Sequence, residues 1–127
     1  MKNKKVFIAY DFSNREKYTD FHRKLKIYLE NKDNQVYSLV FDKHPKFKND
    51  KDMMDKALSK IKQSDVLIAE LSTKQIGIGV EVGYAKALKK EIIYIRQLNS
   101  EFSKTVSGVT NLIIEYQNID DLIKKIP

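Results

Sequence analysis

Apolar and polar positions along the chain alternate between short, unbroken apolar runs and longer stretches with helical spacing. Lys5 to Tyr10 (KVFIAY), Val66 to Ala69 and Ile92 to Ile95 are apolar without alternation and rich in β-branched residues, which predicts strands buried on both faces. Gln35 to Phe41 and Asn111 to Tyr116 predict two more. Between the first two strands Tyr18, Phe21, Leu25, Tyr28 and Leu29 form a helical stripe that the turn residues NKDN close. Met54, Ala57, Leu58 and Ile61 mark a second helix. Val80, Gly83, Tyr84, Ala87 and Leu88 share one face of a third, and Ile119 to Ile126 form a closing helix. Asp42 to Lys51 (DKHPKFKNDK) reads as a polar, lysine-rich loop, and RQLNSEFSKTVSGVT as another with one helical turn.

Strands that alternate with helices in this way predict a parallel sheet with right-handed crossovers and strand order 2-1-3-4-5. In such sheets ligands bind beyond the carboxyl ends of strands 1 and 3, where the order reverses. Tyr10 to Arg15 and Glu70 to Glu81 are thereby expected in one cleft. Ser13, Asn14, Arg15, Ser72, Thr73, Gln75 and Glu81 would furnish it with hydroxyls, amides, one guanidinium and one carboxylate. Hydroxyls and an arginine suit a phosphate, and backbone amides near Gly77 and Gly79 could serve an anion at the helix start.

The glycines Gly77 and Gly79 are expected to carry the chain out of strand 3, placing Glu81 in the first turn of the third helix. There the helix dipole favours the ionised carboxylate, making Glu81 a candidate nucleophile or base. An acidic residue in a first turn is also ordinary helix chemistry. The Gly-x-Gly spacing matches neither the dinucleotide fingerprint nor the P-loop.

Composition narrows the classes. A chain of 127 residues, 42% hydrophobic and with two prolines, is expected to be a single domain over 1–127. Without cysteine there is neither a disulfide nor a thiolate metal site, and His22 and His44 lie in a lysine-rich helix and loop where surface roles are expected. No metal or other cofactor is implied. The net charge of +7 favours anionic partners, but the lysines are scattered, so nucleic-acid binding is not expected. No apolar run approaches membrane-spanning length and VFIAY is too short for a signal segment, so a cytoplasmic protein is expected.

SDVLIAELS followed by GIGVEVGYAKALKK is similar to the nucleoside 2-deoxyribosyltransferase superfamily, nearest its branch of nucleoside 5'-monophosphate N-glycosidases. The resemblance implies a flavodoxin-like three-layer α/β sandwich and a homodimer or higher oligomer with a site near the subunit interface. It implies Glu81 as the nucleophile that attacks the anomeric carbon and expels the base. Ser13-Asn14-Arg15 resembles the motif that contacts the 5'-phosphate, and Ser103 the serine that reaches a phosphate from a neighbouring subunit. Tyr10 or Phe12 would wall the base. Gln75 stands where the hydrolases tend to carry Ser and the transferases Asp, and with Gly77 and Gly79 it would border the substrate.

One position departs from that pattern. Eight residues before Asp65 the family carries an acid that assists the sugar hydroxyl and the leaving base, and here that position is Ala57. Asp55 is the alternative acid, but two residues on a helix are about 200° apart, so it would point away. A slow enzyme, another substrate, or a non-catalytic nucleotide-binding or signalling module would follow. VFIAYD, ALSKIKQSDVLIAELS and the later Glu also resemble a TIR domain, which would imply NAD cleavage by Glu81, although Gly79-Val80 replace its usual Trp-Cys.

Overall fold

The computed structural model describes residues 1–42 and 46–127. Five strands, β1 (Lys5–Ala9), β2 (Gln35–Tyr37), β3 (Val66–Glu70), β4 (Glu91–Gln97) and β5 (Leu112–Tyr116), form one parallel sheet in the order β2-β1-β3-β4-β5. The expected order is therefore the observed one. In register, Val6 pairs with both Val36 and Val66, Ile68 with Ile93, and Ile95 with Ile114.

Strict alternation along the strands divides the core into two layers. Val6, Ile8, Val66, Ile68, Ile93 and Ile95 pack with Leu25, Leu29 and Leu122 of α1 (Thr19–Glu30) and α5 (Ile119–Lys125). Phe7, Ala9, Leu67, Ala69, Ile92 and Tyr94 pack with Ile61, Ile78, Val82 and Ala85 of α2 (Asp50–Gln63) and α3 (Ile76–Ala87). Burial of both sheet faces is what the unbroken apolar runs encode. Asn49 and Asn118 cap α2 and α5 by accepting from the amides of Asp52 and Asp121, each at about 2.8–2.9 Å, and acidic first turns and basic last turns suit the helix dipole.

Several boundaries differ from those the sequence predicts. The strand expected over Gln35 to Phe41 stops at Tyr37, because Ser38 to Asp42 turn back through bonds from the amides of Phe41 and Asp42 to the Ser38 carbonyl. The polar turn after β1 is a 3₁₀ segment, Phe12–Tyr18, capped by Asp11, whose carboxylate accepts from the Ser13 amide at 3.0 Å and the Asn14 side chain at 2.7 Å. The helix between β4 and β5, α4 (Lys104–Ser107), is a single turn.

The glycines behave differently from expectation. Gly77 and Gly79 lie inside α3, and neither has a positive φ. The loop out of β3 is Leu71 to Gln75 instead. The face of α3 carrying Val80, Gly83 and Ala87 is exposed, and Ile78, Val82 and Ala85 are the buried ones. α3 is apolar almost all round, so periodicity had no polar face with which to fix its orientation.

His22 is a second correction. It is buried, its Nδ1 lies 2.9 Å from the Tyr10 hydroxyl, and its ring stacks on Phe41 at 4.7 Å. The α1 stripe turns it inward despite its lysine-rich neighbours. His44 lies outside the described residues.

Candidate active site

At the carboxyl ends of β1 and β3 a cleft of about 230 Å³ opens. Its lining comes from four segments. The end of β1 supplies Phe7 to Phe12, the chain after β2 supplies Leu39, Val40 and Phe47, α2 supplies Met53, Met54 and Ala57, and the start of α3 supplies Gln75, Gly77, Ile78 and Glu81. The switch point of the sheet is thus where the cleft lies, because the crossovers leave β1 in opposite directions there.

Glu81 is the chemical centre of this cleft. It is half-buried, and among the described residues no hydrogen bond or ion pair reaches its carboxyl group. Burial alone pushes its pKa from 4.5 to about 7. The expectation of an ionised first-turn carboxylate does not hold. Because α3 begins at Ile76, Glu81 sits in the second turn, beyond the reach of the helix-end charge, and desolvation prevails.

Other polar groups in the lining are already engaged. Both carboxylate oxygens of Asp11 cap the 3₁₀ segment, and the Tyr10 hydroxyl faces His22. Burial, then the Glu70 charge, raises the Tyr10 pKa, and burial lowers His22 to about 4, so this pair is an uncharged phenol and imidazole. Gln75, the residue preceding α3, makes no side-chain cap. No lysine or arginine is among the described lining residues.

The expected site residues are only partly brought together. Tyr10, Phe12, Gln75, Gly77 and Glu81 line the cleft; Ser13, Arg15, Gly79 and Ser103 do not. Arg15 is exposed, with its guanidinium 4.0 Å above the Phe12 ring and donating to the Phe12 carbonyl at 3.0 Å. Ser103 caps α4 by accepting from the Val106 amide at 3.1 Å, while its own amide donates to the Tyr94 hydroxyl at 3.0 Å. Asp55 is on the surface, 2.9 Å from Lys51, and Ala57 lines the cleft with Met53 and Met54.

Ser72, expected in the cleft, belongs instead to a buried cluster behind it. Glu70 at the end of β3 accepts from the hydroxyls of Tyr18 (2.9 Å) and Tyr116, and from the amide (2.8 Å) and hydroxyl (3.0 Å) of Ser72. Ser72 Oγ also accepts from the Gln97 amide at 2.8 Å. One carboxylate therefore ties together the 3₁₀ segment, the β3–α3 loop and the ends of β4 and β5. The sequence signal was an acidic residue ending an otherwise apolar strand, and its partners Tyr18 and Tyr116 are too far off in sequence to be read.

Leu39, Val40, Phe47 and Met53 were not singled out from sequence. Their apolar character is equally that of core residues. Among the described residues no group of His, Cys, Asp and Glu could hold a metal ion, and no helix is long and apolar enough to cross a membrane.

A doubly wound parallel sheet with an apolar cleft at its switch point, where Asp11 is engaged in a cap and Glu81 has no partner among the described residues, defines a class of small-ligand α/β domain. The chain belongs to the nucleoside 2-deoxyribosyltransferase family, whose model matches residues 6–119. Solved structures with the same fold include the CMP N-glycosidase BcmB of Clostridium botulinum, 24% identical, with a TM-score of 0.72 and coverage of 96% of this chain and 97% of that one. A 2-deoxyribosyltransferase from Bacillus psychrosaccharolyticus is 17% identical with a TM-score of 0.72, covering 94% and 90%. A conserved protein from Enterococcus faecalis V583 is 12% identical with a TM-score of 0.76, covering 94% of each. No curated protein matches the chain.

Proposed function

We propose that this protein cleaves or transfers the N-glycosidic bond of a nucleoside or nucleoside 5'-monophosphate, with Glu81 as nucleophile. The observation that carries this reading is the Glu81 carboxyl group, without a partner among the described residues, in an apolar cleft at the switch point of the sheet. A carboxylate with no competing partner is free to attack the anomeric carbon. The C1'–N bond breaks, its electron pair leaves with the base, and a glycosyl ester forms on Glu81. Water or a second base then attacks the anomeric carbon and releases the carboxylate. Membership of the family and the folds shared with an N-glycosidase and a deoxyribosyltransferase support the same chemistry.

In this reading Phe12 walls the base, and Gln75 and Gly77 border the substrate, while the Tyr10 ring is packed away from it against His22 and Gly79 lies outside the lining. Ser13 and Arg15 meet a 5'-phosphate once Arg15 leaves the Phe12 ring, and Ser103 reaches it from a neighbouring subunit of a homo-oligomer. The protein acts in the cytoplasm. Ala57 favours a second reading, a nucleotide-binding module without turnover, because Asp55 is paired with Lys51 outside the cleft.

The test is a panel of ribo- and deoxyribonucleosides, their 5'-monophosphates and NAD, with released base measured by chromatography and Glu81→Gln as control. Base released by the wild type alone is the expected outcome. Tight nucleotide binding without product would establish the second reading.

A further inference from the structure

Resting on the glycosidase reading, we propose that the cleft is built for N-glycosides whose leaving group is a positively charged ring, an N-alkylated heteroaromatic cation, rather than a neutral base.

The argument starts from proton supply. A neutral base departs with an extra electron pair on nitrogen and needs a proton from the protein to leave at a useful rate. Among the described lining residues the titratable side chains are Tyr10, Asp11 and Glu81. The Tyr10 hydroxyl is committed to His22, and both Asp11 oxygens accept bonds from the 3₁₀ segment. Glu81 cannot be both the attacking carboxylate and the acid for the same bond cleavage. Ala57 puts a methyl group where α2 faces the cleft.

A quaternised ring nitrogen removes the need. When the Glu81 oxygen bonds to C1', the C1'–N electron pair passes to the ring nitrogen and cancels its charge, so the base leaves neutral without a proton. Water then adds to the anomeric carbon, the ester bond to Glu81 breaks, and one proton is released to solvent. Atoms and charge balance with no acid at the leaving group.

The lining also suits a cationic ring. Its described lining residues include two carboxyl groups and no lysine or arginine, in a chain whose net charge is +7. Phe12 and Phe47 each already hold a cationic side chain over the ring, Arg15 at 4.0 Å and Lys56 at 5.3 Å, so the aromatic walls accept positive charge, and Met53 and Met54 add polarisable sulfur. Such a ring beside Glu81 would also draw its carboxyl group into the ionised form that attack requires, countering the burial that now opposes it.

Guanosine and 7-methylguanosine, each as nucleoside and as 5'-monophosphate, form matched pairs that differ by one methyl group and one charge. Enzyme-dependent base release is measured for each, with the enzyme-free rate subtracted and Glu81→Gln as control. The expected result is a kcat/KM for the methylated member at least about a hundredfold higher, the size of the acid assistance the cleft lacks. Ratios within about tenfold would overturn the inference and leave the glycosidase reading standing, because some other group must then protonate the neutral base. Release from no member of either pair, or release that persists in Glu81→Gln, would overturn both.

Discussion

The hydroxyl of Tyr18 donates to a Glu70 oxygen at 2.9 Å, joining the 3₁₀ segment after β1 to the end of β3. The two loops that this bond holds are those carrying Asp11, Phe12 and Gln75 to the cleft, so the frame of the site is a buried polar cluster on the opposite side of the sheet. Glu70→Ala would leave two tyrosine hydroxyls and the Ser72 amide and hydroxyl without their acceptor. A loss of about 3 kcal/mol is expected in urea unfolding, against about 1–2 kcal/mol for Tyr116→Phe, which removes one donor and keeps the rest. Equal effects of the two variants would mean that Glu70 is not the hub.

Glu81→Gln is expected to abolish base release while keeping the fold, since the amide is nearly isosteric. With the wild type, kcat/KM should rise with pH and level off above about pH 7, because attack needs the ionised form and burial holds the carboxyl pKa near 7. A profile that falls over the same range would make Glu81 an acid instead.

The same group has a stability signature. A carboxyl pKa raised from 4.5 to about 7 favours the folded state fully at low pH and loses that contribution as pH rises through 7. His22, lowered from 6.5 to about 4, has the opposite sign: its contribution is complete above 6.5 and is lost as pH falls toward 4. The two slopes oppose each other between about pH 4.5 and 6.5. Relative to the wild type, Glu81→Gln should gain on the order of 2 kcal/mol at about pH 8 and nothing at about pH 4. His22→Gln should instead leave a stability that falls with rising pH across that window. Denaturant midpoints across pH check both.

Ala57→Asp would place a carboxyl group on the α2 side of the cleft, where Met53, Met54 and Ala57 now offer none. Turnover of neutral nucleosides is expected to rise by about tenfold or more, at some cost in stability from burying the new group. Unchanged turnover in a folded variant would mean that proton supply does not limit the reaction.

Strand order, the two-faced burial of the sheet and the place of the cleft were legible from the apolar runs and their spacing, because burial on both faces leaves no polar alternation and parallel neighbours require helical crossovers. Glu81 was legible as a candidate from its place after β3. Its titration was not: the register of α3 decides that it lies one turn further in, where burial removes water. The resemblance put Ala57 at the cleft, and helical geometry turned Asp55 away from it.

What the sequence by itself determined is the set of elements, their order and the residue types that converge at the switch point, since local periodicity and crossover handedness fix these. Only the tertiary structure decided which groups are free to act. Asp11, Ser72 and Ser103 are polar in sequence but spent on caps and on the Glu70 cluster, while Arg15 rests on Phe12. Local bonds from the 3₁₀ segment satisfy Asp11 and the distant Tyr18 and Tyr116 satisfy Glu70, and desolvation without a partner among the described residues is what sets Glu81 apart.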